Sequence, residues 1–480
     1  MANILMIKPH TGGRLDGNAM NDIRVLAKEF IEKNKDAMLK DIKAVVDIPS
    51  VESTPAPGEP YGEGPAKALN KALEIAARMG LDAHNCDGYI GYADVKGKSE
   101  RQIATITHLD VVPEGNGWTQ NPYDMQIKDG YLIGRGVIDD KGPAIVTLYA
   151  AKFFKELGVE QPYTLRILLG ANEETGMGDT EWYLSHFEQP AFCMTPDGDF
   201  PVCYGEKGIF GGDFVSKPIC TNIVDIKGGV ASNVVPDRAY AVVKADITAL
   251  KETETIKLSE ENGMVRVSAF GVGGHAAHPD GTINAIGLVV DYLLDNKLCT
   301  EEENRFLSLL HTLFASTDGT SLGIEASDGM FTPLTCIGGM IAMESGIIMQ
   351  NINIRYPTNI TSDEIAAKLT AFAKQNKADF IPGRETVPFL IDPKSEVITT
   401  LIGVYNEITG KDEKPFTMGG GTYARYFNNA VSFGVEEPGA VVPSFVGTMH
   451  GADEGVSIDL LLKTLEIYIV AISKLMNLEF

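Results

Sequence analysis

At 480 residues the chain exceeds what one ordinary hydrophobic core organises, so two folding units are expected. It is 44% hydrophobic and 22% charged with no repeat of fixed period, which excludes a disordered or fibrous chain. Acidic residues outnumber basic ones 65 to 41, and the formal charge of -24 repels phosphate backbones and anionic lipid, so neither nucleic acid nor a membrane is an expected partner.

No apolar run reaches bilayer length and the amino terminus lacks a secretion signal, so a cytoplasmic location is expected. The cysteines (Cys86, Cys193, Cys203, Cys220, Cys299, Cys336) are scattered without CxxC spacing, which argues against a disulfide framework and against a cysteine zinc site. Residues 1–19 lack clear helical periodicity, precede a second methionine, Met20, and are set aside from the fold.

From Asn21 to Val46 apolar residues recur at helical spacing and Pro49 closes the segment; a second helix, Gly64 to Met79, follows the loop PAPGEP. A strand–loop–helix pattern comes next: IATIT before His108, a helix from Pro143 to Leu157, LRILLGA before Glu173, and AFCMT before Asp197. Strands separated by helices predict an α/β fold with a doubly wound, mainly parallel sheet covered on both faces.

Near Gly205 the pattern changes. GGDFVSK, RAYAVVKADI, MVRVSAFGV and GIIMQNINIRY alternate as strands of an antiparallel sheet, with helices at Ala285 to Leu294 and Ser362 to Gln375. A βα pattern resumes with a helix from Val397 to Thr409, the glycine-rich GGGTYAR, a strand near VSFGV and a closing helix from Ser457 to Leu475. The expected organisation is one α/β catalytic domain in two parts, residues 20–207 and 389–480, with an inserted α+β lid domain at 208–388.

Binding crevices of open α/β sheets form beyond the carboxyl ends of the strands, where this sequence concentrates histidines and carboxylates. His108-Leu109-Asp110 follows IATIT, Asp139 and Asp140 lie in GRGVIDDKGP, Glu173-Glu174 follows LRILLGA, Asp197 and Asp199 follow AFCMT, and TMHGADEG supplies His450. Two imidazoles with three carboxylates exceed what one catalytic zinc requires and suit two divalent metal ions sharing a carboxylate. Such ligands favour Zn²⁺, with Mn²⁺ or Co²⁺ as replacements. Each motif alone reads equally well as a structural histidine or a helix cap; the ordered set does not.

HLDVVP, GRGVIDDKGP, NEETGM, PDGDFP with EKG, GGHAAHP, and GGGTYAR with MHGADE resemble, in order and spacing, the co-catalytic metallopeptidase family of carboxypeptidase G, aminoacylase and acetylornithine deacetylase. The nearest branch resembles the PepV-type, carnosinase-like dipeptidases, over a span from about Asn21 to the carboxyl terminus.

The resemblance implies that Asp139 bridges two metals, with His108 and Asp197 completing one site and Glu174 and His450 the other, and that the Asp139–Asp140 peptide is cis. It further implies that Asp110 orients His108, that Glu173 is the general base, and that His275 donates to the substrate carbonyl oxygen. Asn233, Arg355, Gly420, Gly421 and Thr422 match substrate-binding positions, Arg355 suiting a terminal carboxylate through its bidentate fork.

An aspartate at position 197 resembles the aminopeptidase and dipeptidase members, which favours dipeptides with a free amino group. The stretch Thr300 to Met330 carries no residue with an assignable role; by analogy with the dipeptidase branch it enlarges the lid in place of a dimer interface, which implies a monomer. Two rival readings remain at this stage: an N-acyl amino acid deacylase or desuccinylase on the same site, and a metal- or peptide-binding homologue without catalysis.

Overall fold

The computed structural model describes residues 17–480, so most of the amino-terminal stretch set aside above lies outside the described residues. The described residues divide into two compact units: 17–204, 391–416 and 422–480 form the first, and 205–390 with 417–421 form the second.

In the first unit the strands run in the order Asp82–Cys86, Ile90–Val95, Tyr163–Gly170, Ser99–His108, Phe192–Thr195 and Ala430–Ser432. The four from Tyr163–Gly170 onward are parallel, and the two outer ones are antiparallel to their neighbours. The parallel strands are buried over most of their length, Ser99–His108 from Ile103 onward, because helices cover the sheet.

Those helices are Gly17–Val46, Glu63–Arg78, Lys141–Leu157, Glu396–Thr409 and Ile458–Leu475. Lys141–Leu157 packs against both the sheet and the carboxy-terminal helix, and its apolar residues from Ala144 to Phe154 are central to the core. The expected starts of the helices fall within a few residues of the observed ones.

The second unit is an eight-stranded antiparallel sheet in the order Ile256–Glu261, Met264–Phe270, Arg238–Val243, Ile223–Gly228, Thr335–Glu344, Ile347–Tyr356, Gly208–Val215 and Asp379–Thr386. Helices Ala285–Asp295, Glu301–Phe314 and Ser362–Gln375 share its apolar core. The stretch without an assigned role therefore has a structural one. Thr300 and Glu303 form a reciprocal capping box, and Phe306, Leu307, Leu309, Leu310 and Leu313 bury the inner face of the helix they start.

One segment departs from the expected boundaries. Residues 417–421, assigned from the sequence to the catalytic domain, belong to the second unit. There Lys207 N donates to Met418 O and Arg355 Nη1 to Gly419 O, hydrogen bonds that no local sequence pattern encodes.

Candidate metal centre

Three parallel strands deliver the first ligands. His108 ends its strand opposite Gly170, Glu173 and Glu174 lie in the turn that follows Gly170, and Asp197 lies just past Thr195. A Cβ at position 170 would sit 2.2 Å from Tyr423 Oη and 2.7 Å from Asp179 Oδ2, so only glycine fits beside the ligand strand. Asp139 comes from the loop immediately before helix Lys141–Leu157, and its peptide bond to Asp140 is cis. His450 sits on a turn with φ 61, held by hydrogen bonds from Gly447 N to Asp453 O and from Gly451 N to Thr448 O.

These residues meet around the Asp139 carboxylate. Oδ1 lies 2.9 Å from His108 Nε2, and Oδ2 lies 2.8 Å from His450 Nε2. Asp197 Oδ2 is 3.9 Å from His108 Nε2, and Glu174 Oε2 is 3.3 Å from His450 Nε2. Ligand atoms of His108, Asp139 and Glu174, and those of His108, Glu173 and Asp197, fall within 4.8 Å of one another. One carboxylate thus faces a different imidazole with each oxygen, a geometry that suits two cations sharing it.

The electrostatics point the same way. Burial and the charge of Asp139 push Asp197 up to about 7, and burial and Asp197 hold Glu173 well above the usual carboxylate range. Glu174 is raised by burial and Asp139. Burial alone would raise Asp139 as well, but the two imidazoles outweigh it and lower its pKa. His450 is pushed up to about 11 by its hydrogen bonds to Asp139 and Glu174. Glu174 Oε1 is buried with no hydrogen-bond partner. A crowd of carboxylates with an orphaned oxygen lacks positive charge, and the donor set fits divalent metal ions.

Asp110 does more than accompany His108. The nearer partner of His108 Nδ1 is the Asp110 carbonyl oxygen at 3.0 Å, with the carboxylate at 3.5 Å. The carboxylate oxygens instead accept the backbone N–H of Glu173 and of Glu174, both at 3.1 Å, so one side chain fixes the acidic pair. Asp179, buried behind that turn, accepts from the backbone N–H groups of Ala171, Asn172 and Thr180 and from the Tyr423 hydroxyl.

Other expected site residues gather in the second unit. His275 pairs with Val234, and Ala276 N donates to Asn233 O, which brings Asn233 and His275 to adjacent strand ends. Arg355 is buried, donating from Nε to Asn353 Oδ1 and from Nη1 to Gly419 O, beside Gly420 and Gly421. Thr422, grouped with those glycines from the sequence, lies in the first unit and accepts from Ala424 N, capping the short helix Tyr423–Tyr426.

Sequence reasoning missed Arg135, Lys141 and Glu454. All three are buried, and all three lie in motifs singled out for other residues. Lys141 donates to Ile48 O, and burial pulls its pKa down to about 7. The available signal was a set of charged residues embedded in glycine-rich segments beside proposed ligands.

A family model described as Peptidase family M20/M25/M40 matches residues 104–474. The chain is similar to the Beta-Ala-Xaa dipeptidase of Lactobacillus delbrueckii subsp. lactis, 31% identical over 468 residues covering 93% of this chain and 98% of the relative. Among solved structures it is similar to human carnosine dipeptidase 1, with TM-score 0.59 and 14% identity over 96% of this chain and 99% of that one. It is likewise similar to the aminoacylhistidine dipeptidase of Vibrio alginolyticus, with TM-score 0.56 and 14% identity over 91% and 95%. These last two likenesses concern the fold. No helix among the described residues is long and apolar enough to cross a membrane.

Proposed function

The chain belongs to peptidase family M20/M25/M40, and on that premise we propose that it is a metal-dependent dipeptidase acting on dipeptides with a free amino terminus. The observation that carries the reading is the Asp139 carboxylate, which faces His108 with one oxygen and His450 with the other, flanked by Asp197 and Glu174.

His108, Asp139 and Asp197 would hold one ion, and Asp139, Glu174 and His450 a second. Bound there, divalent ions would supply Lewis acidity toward the scissile carbonyl and acidify the attacking water. Glu173 accepts a proton from that water at a carboxylate oxygen and returns it to the leaving amine. Asp110 fixes the backbone from which Glu173 projects, which supports the assignment because a proton carrier must start from a set position.

His275 is assigned the hydrogen bond to the developing oxyanion and Arg355 the substrate carboxylate, with Asn233, Gly420, Gly421 and Thr422 as further substrate contacts. Two ions per chain, zinc as the metal, a monomeric state and a cytoplasmic location complete the reading; the donor set supports the first two, and the monomeric state rests on the resemblance.

The test is a panel of free dipeptides beside N-acyl amino acids, assayed before and after chelation and again after adding Zn²⁺ or Mn²⁺. Dipeptide hydrolysis that disappears on chelation and returns with metal is the expected result. Hydrolysis of the acylated amino acids alone would select a deacylase, and activity indifferent to thorough metal removal would sink the metal-dependent reading.

A further inference from the structure

Two buried charged residues outside the ligand set connect the loop of Asp139 to the turn of His450. Glu454 is 0% exposed and Arg135 1%. Glu454 Oε1 accepts from the backbone N–H of Gly136 at 3.0 Å, Ile138 at 3.1 Å and Asp139 at 3.4 Å. Its Oε2 accepts from Arg135 Nη1 at 2.7 Å. Arg135 Nη2 donates to His450 O at 3.3 Å and to Glu114 O at 3.2 Å. The main chain repeats the link, Gly134 N donating to Glu454 O at 2.9 Å.

A buried ion pair is a poor device for stability alone, since removing both charges from water costs about as much as their attraction returns. Its distinctive product is position. The Asp139 loop is locally underdetermined: Gly136 has φ 89 and the helix begins only at Lys141, so helical hydrogen bonding does not fix the residues between. One carboxylate oxygen gathering three of the loop's N–H groups, those of Gly136, Ile138 and Asp139, supplies the missing constraint. The guanidinium then carries that constraint to the carbonyl of His450, itself in a left-handed turn.

We propose that Arg135 and Glu454 are a positioning pair that sets the distance between Asp139 and His450, and through it the affinity of the metal position formed by Asp139, Glu174 and His450. Neither residue belongs to the groups whose ligand atoms cluster around Asp139. The position formed by His108, Asp139 and Asp197 depends on the pair less, because its other two ligands stand at sheet ends that the pair does not contact. The inference rests on the metal-dependent reading of the site.

The experiment titrates Mn²⁺, and separately Zn²⁺, into chelator-treated full-length protein by calorimetry, with kcat and KM for a dipeptide measured at saturating metal. Glu454→Gln keeps an acceptor for the three N–H groups but removes the charge facing Arg135, and Arg135→Met removes the donor to His450. Wild type is expected to bind two ions. Each variant should weaken one of the two by about 10- to 100-fold, leave the other within about 3-fold, and lower kcat more than KM.

The double variant should lose no more than the worse single one, because the two residues act as one unit. If Arg135→Met fails to fold, Arg135→Lys carries the same measurement, since an ammonium cannot bridge Glu454 and His450 O with a rigid fork. Both affinities unchanged, both lowered equally, or fully additive losses would overturn the pair. A wild-type protein that binds no metal would instead overturn the reading beneath it, so the two failures are distinguishable.

Discussion

Two carboxylates of the second unit contrast with those that crowd the metal centre of the first. In the second, Glu303 accepts the backbone N–H groups of Thr221, Asn222, Ile223 and Thr300, which outweigh burial and lower its pKa. Asp328 accepts N–H groups of Met330, Phe331 and Thr358 and is likewise held down, at about 2. In the first, Asp197, Glu173 and Glu174 crowd one another with too few donors and are raised. A carboxylate with its N–H partners in place holds backbone; one left facing other carboxylates is a place for a cation and a proton carrier.

The comparison can be broken or sharpened by experiment. The largest expected effect is on chemistry: Glu173→Ala in metal-loaded protein should lower dipeptide turnover by about 100- to 10,000-fold without lowering the melting temperature of the metal-free chain. Unchanged turnover would remove the proton-transfer role. Glu303→Ala should do the reverse, costing about 3 kcal/mol in urea unfolding as four N–H groups lose a charged acceptor, with metal affinity unchanged. A cost below about 1 kcal/mol would mean that water replaces the carboxylate and the contrast is overstated.

Zn²⁺ or Mn²⁺ at about 100 times its dissociation constant should stabilise the folded chain by about 2.7 kcal/mol. Hydrogen exchange should slow around residues 108–110, 136–141 and 173–174 and stay unchanged around 300–330. Uniform slowing would show that the first unit's carboxylates hold no special deficit. The smallest effect concerns acid. Asp328 titrates at about 2 in the fold against an ordinary 3.8, so its contribution is complete above about pH 4 and is lost as pH falls toward 2. Asp328→Asn should flatten that part of the stability profile by about 1 kcal/mol, a modest figure because the group is only part-buried.

How far the sequence reveals this arrangement depends on whether the determining contacts are local. Helix Ser362–Gln375 is legible to the residue, because Thr361 and Glu364 make a capping box before a clean apolar stripe. Helix Glu301–Phe314 carries the same kind of signal at Thr300 and Glu303, yet its run of three glutamates reads as a solvated loop unless the stripe beyond it is counted. His108, Glu173, Glu174 and Asp197 stand out because strands end on them. Their division of labour does not follow from spacing and came from the resemblance. The role of Glu454 is not legible even though its place beside His450 is: its partners lie more than 300 positions away, and its neighbourhood looks like an acidic turn.

The short return of residues 417–421 to the second unit has a consequence for anyone who would cut the protein apart. A gene fragment encoding 205–390 alone would not encode that unit whole. Lys207 N and Arg355 Nη1 would lose the acceptors Met418 O and Gly419 O, and the fragment would carry a buried guanidinium stripped of one carbonyl. A detachable version needs those five residues sewn back by a linker, and a swap of this unit between relatives must exchange two separate stretches of chain rather than one.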